Sequence, residues 1–266
     1  MQFALLSQLL EAQQRGGAPA LVFEGRALSY AALHQAALRA AAVAWHAWRV
    51  RPGDRVAWLG ANHPAQIALL FGLARIGAIL LPLNFRLAPA EWDRLLADCT
   101  PRVVVHDAAW AEAAQHLAGR AGIPAHAAHS LDAEAGGEAP AHGTADSPLL
   151  LVYTSGTTGG PKAAVHTQAN LLANMRIAAQ VQGMGASDKV LTVLPLFHVG
   201  GLCIQTLPAL YAGAQVLLHA RFGPDETLAA IARERPTLTL QVPATMKALA
   251  EHPQWTATDV SSLRAV

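Results

Sequence analysis

Cysteine is almost missing from this sequence. Only Cys99 and Cys203 occur in 266 residues, far apart and without a CxxC spacing. That excludes a disulfide framework and a thiolate metal site, and it fits a reducing compartment. Charge is also scarce. Charged residues make up 14% of the chain, and 19 Lys and Arg against 18 Asp and Glu leave a formal net charge of +1. No lysine- or arginine-rich block occurs, so nucleic-acid binding through a basic patch has little support. A long uncharged apolar run is absent too. The most apolar stretch, residues 67–83, is interrupted by Arg75 and broken by Gly72 and Gly77. A membrane-spanning helix needs roughly 20 mostly apolar residues, so this stretch reads as a buried helix followed by a buried strand. Residues 1–11 carry neither the early positive charge nor the small-residue cleavage site of a signal peptide. They read as the start of an amphipathic helix over residues 2–14, and a cytoplasmic location is expected.

What the chain does have is apolar bulk, 53% of its residues, enough for a substantial core. Residues 20–23 and 27–29 flank Glu24-Gly25 as a hairpin. Residues 29–48 show helical spacing, 55–59 read as a strand, and a helix restarts at Asn62-His63-Pro64. Strands are then expected at 78–81 and 102–105, with helices at 89–98 and 108–118. Residues 125–148, rich in Ala, Gly, His, Asp and Pro, read as a surface connection between a first portion, 1–124, and a second, 149–266. In the second portion helices are expected at 168–181, 202–211, 224–233 and 243–250. Strands are expected at 189–193, 215–218 and 238–241, with another opening at 263–266. Such alternation, with continuously apolar strands, predicts an α/β fold with parallel sheets covered by helices. No internal repeat is present.

Thr154-Ser155-Gly156-Thr157-Thr158-Gly159-Gly160-Pro161-Lys162 stands out. It holds three glycines, four hydroxyl side chains and one lysine. Glycine lets backbone amides approach an oxyanion, consecutive amides form an anion-binding concavity, hydroxyls add rotatable donors, and Lys162 adds a mobile positive charge. The stretch reads as a phosphate-binding loop. It is not the G-x-x-x-x-G-K-[ST] loop: counting from Gly156, the sixth position is Pro161 and Ala163 follows the lysine.

The stretch instead resembles the signature [ST]-S-G-[ST]-T-G-x-P-K-G of the adenylate-forming enzymes, which include acyl- and aryl-CoA synthetases. It matches at every position through Lys162, and Ala163 replaces the final glycine. That change is mild if φ is negative there and costly if it is positive. Further matches follow in order along the chain. Leu28-Ser29-Tyr30-Ala31-Ala32-Leu33 is similar to the T-Y-x-E-L box, without its glutamate. Pro52-Gly53-Asp54-Arg55-Val56-Ala57 with Asn62, and Gly77-Ala78 with Pro82-Leu83-Asn84 and Arg86-Leu87, resemble two more segments. Leu194-Pro195-Leu196-Phe197-His198-Val199-Gly200-Gly201 is similar to the LPLFHxxG box of acyl-CoA synthetases, and Val242-Pro243-Ala244-Thr245 to the VPT motif.

The resemblance implies a large N-terminal domain of layered αβα sheets and a two-step reaction. A carboxylate attacks the α-phosphate of ATP, with Mg2+, to give an acyl-adenylate and pyrophosphate; a thiol, usually of coenzyme A, then displaces AMP. It assigns Thr154, Ser155, Gly156, Thr157, Thr158, Gly159 and Gly160 to the β,γ-phosphates and gives Lys162 a supporting, phosphate-facing role. It places His198 beside the acyl-adenylate as a positioning residue, although composition alone favours a buried core histidine there. No metal site is expected: His126 and His129 have helical spacing but no third ligand nearby. Trp45, Trp48 and Trp58 read as core or interface aromatics, and Asn62, Asn84 and Arg86 as turn and capping residues.

The family's later boxes, which supply adenine, ribose and magnesium contacts, and its small C-terminal domain are not in these 266 residues. The chain therefore reads as an incomplete N-terminal AMP-binding domain, not expected to complete catalysis alone. Two other readings stay open: an adenylation domain that loads a carrier protein, and a non-catalytic remnant.

Overall fold

The computed structural model describes residues 3–16, 19–154 and 162–266. In chain order its helices and strands are α1 (Ser7–Ala12), β1 (Pro19–Phe23), β2 (Arg26–Ser29), α2 (Tyr30–Ala42), β3 (Arg55–Leu59), α3 (Pro64–Ile76), β4 (Ile79–Leu83), α4 (Pro89–Cys99), β5 (Val103–His106) and α5 (Ala111–Ala121). There follow β6 (Ala125–Ala127), β7 (Pro148–Thr154), β8 (Lys162–Thr167), α6 (Gln168–Val181), β9 (Lys189–Thr192), α7 (Leu207–Ala212), β10 (Gln215–Leu218), α8 (Pro224–Glu234), β11 (Leu238–Thr239) and α9 (Pro243–Ala250). They form two compact units. One comprises Met1–Ala12 with Ala31–Leu172, the other Gln13–Tyr30 with Ala173–Val266.

The first unit is built on a six-stranded sheet in the order β6-β5-β3-β4-β7-β8. All its pairings are parallel except β7 with β8. Trp92, Leu95 and Leu96 of α4 and Ala114 and Leu117 of α5 bury against Leu59, Leu81, Leu83 and Val104. The apolar stretch over residues 67–83 divides as its glycine implies. Pro64 opens α3, His63 accepts the Ala65 N–H as its cap, and Gly77 ends the helix at φ 76°. This is the proline-first, glycine-last asymmetry of a well-delimited helix. β4 begins two residues later.

Arg75 has a task of its own. Its Nε donates to the Ala139 carbonyl at 2.8 Å and its Nη2 bonds Glu138 at 2.7 Å. Its own carbonyl accepts from the amides of His142 and Gly143. Residues 125–148 thus carry more structure than their composition suggests. They contain β6, a 3-10 turn over Ala128–Asp132 that buries Ala128 and Leu131, and a stack of His126 on Trp48. Small residues let the segment lie flat. A Cβ at Gly143 would sit 1.9 Å from the Ala74 carbonyl oxygen. The N-terminal helix is shorter than expected because the Gln8 side chain accepts from the amides of Ala4 and Leu5, which fixes its start near Ser7.

The second unit has a five-stranded sheet in the order β11-β9-β10-β1-β2. Only β1 and β2 pair antiparallel. Their turn, Glu24-Gly25, has φ of 49° and 76°, the paired positive values that a tight hairpin favours. β1 lies beside β10, so the first hairpin of the chain completes the sheet of its last part. The helix expected over 202–211 is a π-helical turn, Gly200–Thr206, followed by α7. There the Thr206 hydroxyl donates to the Gly201 carbonyl. At 263–266 there is a single bridge, Leu238 with Ala265, and not a full strand.

Arg264 fastens that last segment. It bonds the Asp188 carboxylate at 2.9 Å and the carbonyls of Gln182 and Gly183. Thr237 Oγ1 and the Gly185 amide also donate to Asp188. Burial pushes the Asp188 carboxyl up, but these bonds outweigh it and hold the pKa below the ordinary value. A depressed carboxylate contributes stability above its unfolded pKa and loses it as pH falls through the folded one.

Two outcomes are expected. Gly143→Ala should destabilise the protein by roughly 2–4 kcal/mol through a backbone clash, read by denaturant unfolding. Thermal unfolding followed from about pH 7 to about pH 3 should show the wild type losing stability on acidification. Arg264→Ala should start less stable and lose less, because its Asp188 pKa lies nearer the unfolded value.

Candidate active site

In the first unit β7 is buried on both faces over Leu149, Leu150, Leu151 and Val152, and its carboxyl end emerges as Thr154. β8 returns antiparallel, with Thr154 opposite Lys162 and Tyr153 opposite Ala163. The two ends of the glycine-rich stretch are therefore register partners, and both are exposed. Ser155, Gly156, Thr157, Thr158, Gly159 and Gly160 lie outside the described residues. The pairing sets a hydroxyl and an ammonium side by side where the chain enters and leaves residues 155–161. Because β7 runs parallel to β4, this mouth is at the carboxyl edge of the sheet, where open α/β sheets bind ligands. Ala163 is a strand residue and is absent from the positive-φ positions, so its replacement of glycine is the mild kind.

Tyr153 anchors the mouth from behind, its hydroxyl donating to the Asp98 carboxylate at the end of α4. Burial first, and that bond second, push the Tyr153 phenol well above its ordinary pKa, so it stays a protonated donor at neutral pH.

His198 belongs to the second unit. It lies on the loop after β9, between β10 and β11 in the sheet order. β9 leads to β10 on one side, and β10 leads to β11 on the other, so this carboxyl edge is a topological switch point. The imidazole is exposed, unlike the buried histidine that composition favours. Its Nδ1 accepts the Gly200 amide at 3.1 Å. A neutral ring with Nδ1 accepting carries its proton on Nε2, so His198 presents an Nε2–H donor. The loop is tight behind it. A Cβ at Gly201 would lie 2.4 Å from the Leu194 carbonyl oxygen and 2.6 Å from that of Pro195.

Beneath the loop is a polar network that sequence reasoning missed. The Leu191 carbonyl accepts from Gln205 Nε2 and from the Thr239 hydroxyl, which in turn accepts from Gln241 Nε2. Gln205 and Gln241 are 2% and 8% exposed. The signal available was two glutamines inside otherwise apolar stretches, since buried amides need partners.

The remaining candidates have structural roles. Asn84 accepts the Arg86 amide through Oδ1 and the Trp92 indole N–H through its carbonyl. Trp58 and Trp48 are buried. Burial pushes the Cys99 and Cys203 thiols up to about 11 and about 12, which leaves neither a ready nucleophile. Among the described residues no group of three or more His, Cys, Asp or Glu could hold a metal ion, and no helix is long and apolar enough to cross a membrane.

Two parallel-rich sheets define an α/β fold of the kind that binds ligands at the carboxyl ends of its strands. The profile of the AMP-binding enzyme family matches residues 10–266, and the chain belongs to that family. It is 42% identical over 265 residues to an indoleacetate–CoA ligase of Aromatoleum aromaticum, covering 94% of this chain and 51% of the relative. It is also 42% identical over 245 residues to a feruloyl-CoA synthase of an Amycolatopsis species, covering 91% and 49%. Among solved structures, the N-terminal domain of FACL13 from Mycobacterium tuberculosis superposes with a TM-score of 0.86 at 26% identity, covering 98% of this chain and 69% of that one. The o-succinylbenzoate CoA synthetase of Bacillus subtilis, solved with its acyl-adenylate intermediate, gives 0.84 at 26% identity, covering 96% and 66%. The chain spans about half the length of the curated relatives it matches.

Gly201→Ala is expected to displace the His198 loop and cost about 2 kcal/mol. Thermal melting together with the histidine ring NMR signals, which report the Nδ1 acceptor bond, checks it.

Proposed function

We propose that this chain serves an ATP-dependent carboxylic acid–CoA ligase, and that its substrate is an aromatic acid. The observation that carries the reading is the Thr154–Lys162 register pair, which closes the hydroxyl- and glycine-rich stretch at the carboxyl edge of the sheet. Activation of a carboxylate on ATP needs the leaving pyrophosphate held while negative charge builds on it. Fixed donors and a cation do this without reorganising. Thr154, Ser155, Thr157 and Thr158 supply hydroxyl donors, Gly156, Gly159 and Gly160 allow close amide approach, and Lys162 carries the positive charge. His198, with Nδ1 occupied by the Gly200 amide, offers Nε2–H to a carboxylate or adenylate oxygen. The thiol of coenzyme A then takes the acyl group and AMP leaves.

Magnesium, when bound, neutralises phosphate charge; the exposed Thr154 hydroxyl is a hard oxygen donor of the kind it accepts, and the ion would arrive with ATP. The aromatic preference rests on the two relatives at 42% identity, named for indoleacetate and ferulate. Their shared acceptor is the reason for choosing coenzyme A over a carrier protein. A cytoplasmic location accords with the two free cysteines.

The test is acid-dependent ATP–pyrophosphate exchange by a protein that carries this chain at the full length of its relatives, screened with aromatic and fatty acids. Exchange with aromatic acids is expected, falling about 100-fold in His198→Ala and about tenfold in Lys162→Ala. No exchange with any acid would overturn the reading, and unchanged exchange in His198→Ala would remove that residue from it.

A further inference from the structure

A second site is laid out at the other end of the six-stranded sheet from Thr154 and Lys162. There α3 ends and β4 begins. Helices α1, α2 and α3 and residues near 138–141 line a cavity of about 400 Å3, within the size range of small-molecule sites. Its apolar wall includes Leu10, Leu38 and Phe71, and its polar groups include Glu11, His34, Arg75 and Glu138.

Among the described residues the charges lining the cavity do not cancel. Arg75 and Glu138 are paired at 2.7 Å, and the Arg75 Nε is held by the Ala139 carbonyl. Glu11 has no hydrogen-bond or ion-pair partner among the described residues. All four groups line the same cavity, and His34 lies within electrostatic reach of Glu11, Arg75 and Glu138. Burial, the largest effect, pushes the His34 pKa below its ordinary value, so the ring is neutral at pH 7. What remains, among the described residues, is one carboxylate without a partner, one neutral imidazole able to accept a hydrogen bond, and an apolar wall.

We propose that this cavity binds a small organic ammonium ion carrying an apolar substituent, with its charge against Glu11 and its apolar part against Leu10, Leu38 and Phe71. A carboxylate ligand would meet the unpaired Glu11. A neutral ligand would gain the apolar contact alone.

The experiment is isothermal titration of the 266-residue protein at neutral pH with three probes of one shape: 2-phenylethylammonium, 2-phenylethanol and 3-phenylpropionate. Saturable 1:1 binding of the ammonium is expected, about tenfold tighter than the alcohol, with no binding of the carboxylate. Glu11→Gln, at an exposed position, should bring the ammonium down to the affinity of the alcohol. Leu38→Trp should fill the cavity and abolish binding of both, with cooperative unfolding retained. Absence of saturable ammonium binding, equal affinity for all three probes, or undiminished ammonium binding by Glu11→Gln would each overturn the proposal.

Discussion

Parallel strands cannot be joined by a tight turn. Each must be followed by a crossover, and the crossover delivers every strand-to-helix loop to the same edge of the sheet. The layout of the candidate site depends on that constraint. In the first unit it sends the end of β7 to the carboxyl edge, and in the second it sends the His198 loop to the corresponding edge. The one departure in the six-stranded sheet, antiparallel β8, is what turns the end of β7 into a closed mouth. Had β8 been parallel, Lys162 would lie at the opposite edge from Thr154.

Close approach of backbone to backbone supports this layout. Gly143 and Gly201 each sit where a methyl group would collide with carbonyl oxygens. One keeps residues 138–143 against the end of α3, and the other keeps the His198 loop folded on itself. Arg75 works with Gly143. Buried helices rarely keep a guanidinium, and this one is retained because its partners, Glu138 and the Ala139 carbonyl, belong to the segment it holds down. With Arg75 and Glu138 paired to each other, Glu11 is left without an ion-pair partner among the described residues.

Much of the fold was legible because its elements carry strong local marks. Residues 168–181, 215–218 and 243–250 were placed at their observed bounds: periodicity, a short apolar run and Pro243 marked them. Non-local pairing was not legible. Nothing in residues 19–29 shows that their hairpin lies beside β10, some 190 residues later in sequence, because pairing partners are chosen by tertiary packing. The π-helical turn at Gly200–Thr206 hid for a related reason. Helical periodicity is present, and the wider turn, which the Thr206 hydroxyl bonds to the Gly201 carbonyl, differs from an α-helix in backbone pairing and not in residue pattern. Thr154 and Lys162 stand out as candidates by residue type, and that they are register partners came from the structure. For His198 the apolar neighbours Phe197 and Val199 suggested burial while the resemblance suggested a pocket position, and the ring is exposed. Their positions on two separate sheets, and the Gln205–Thr239–Gln241 network, required coordinates.

The central claim is that the Thr154–Lys162 mouth receives the pyrophosphate part of a nucleotide. Titration of inorganic pyrophosphate into 15N-labelled protein tests it most directly. Saturable shifts of the Thr154, Lys162 and Ala163 amides are expected, with the β3 amides unmoved. Saturation elsewhere on the protein, with those three amides unchanged, would contradict it.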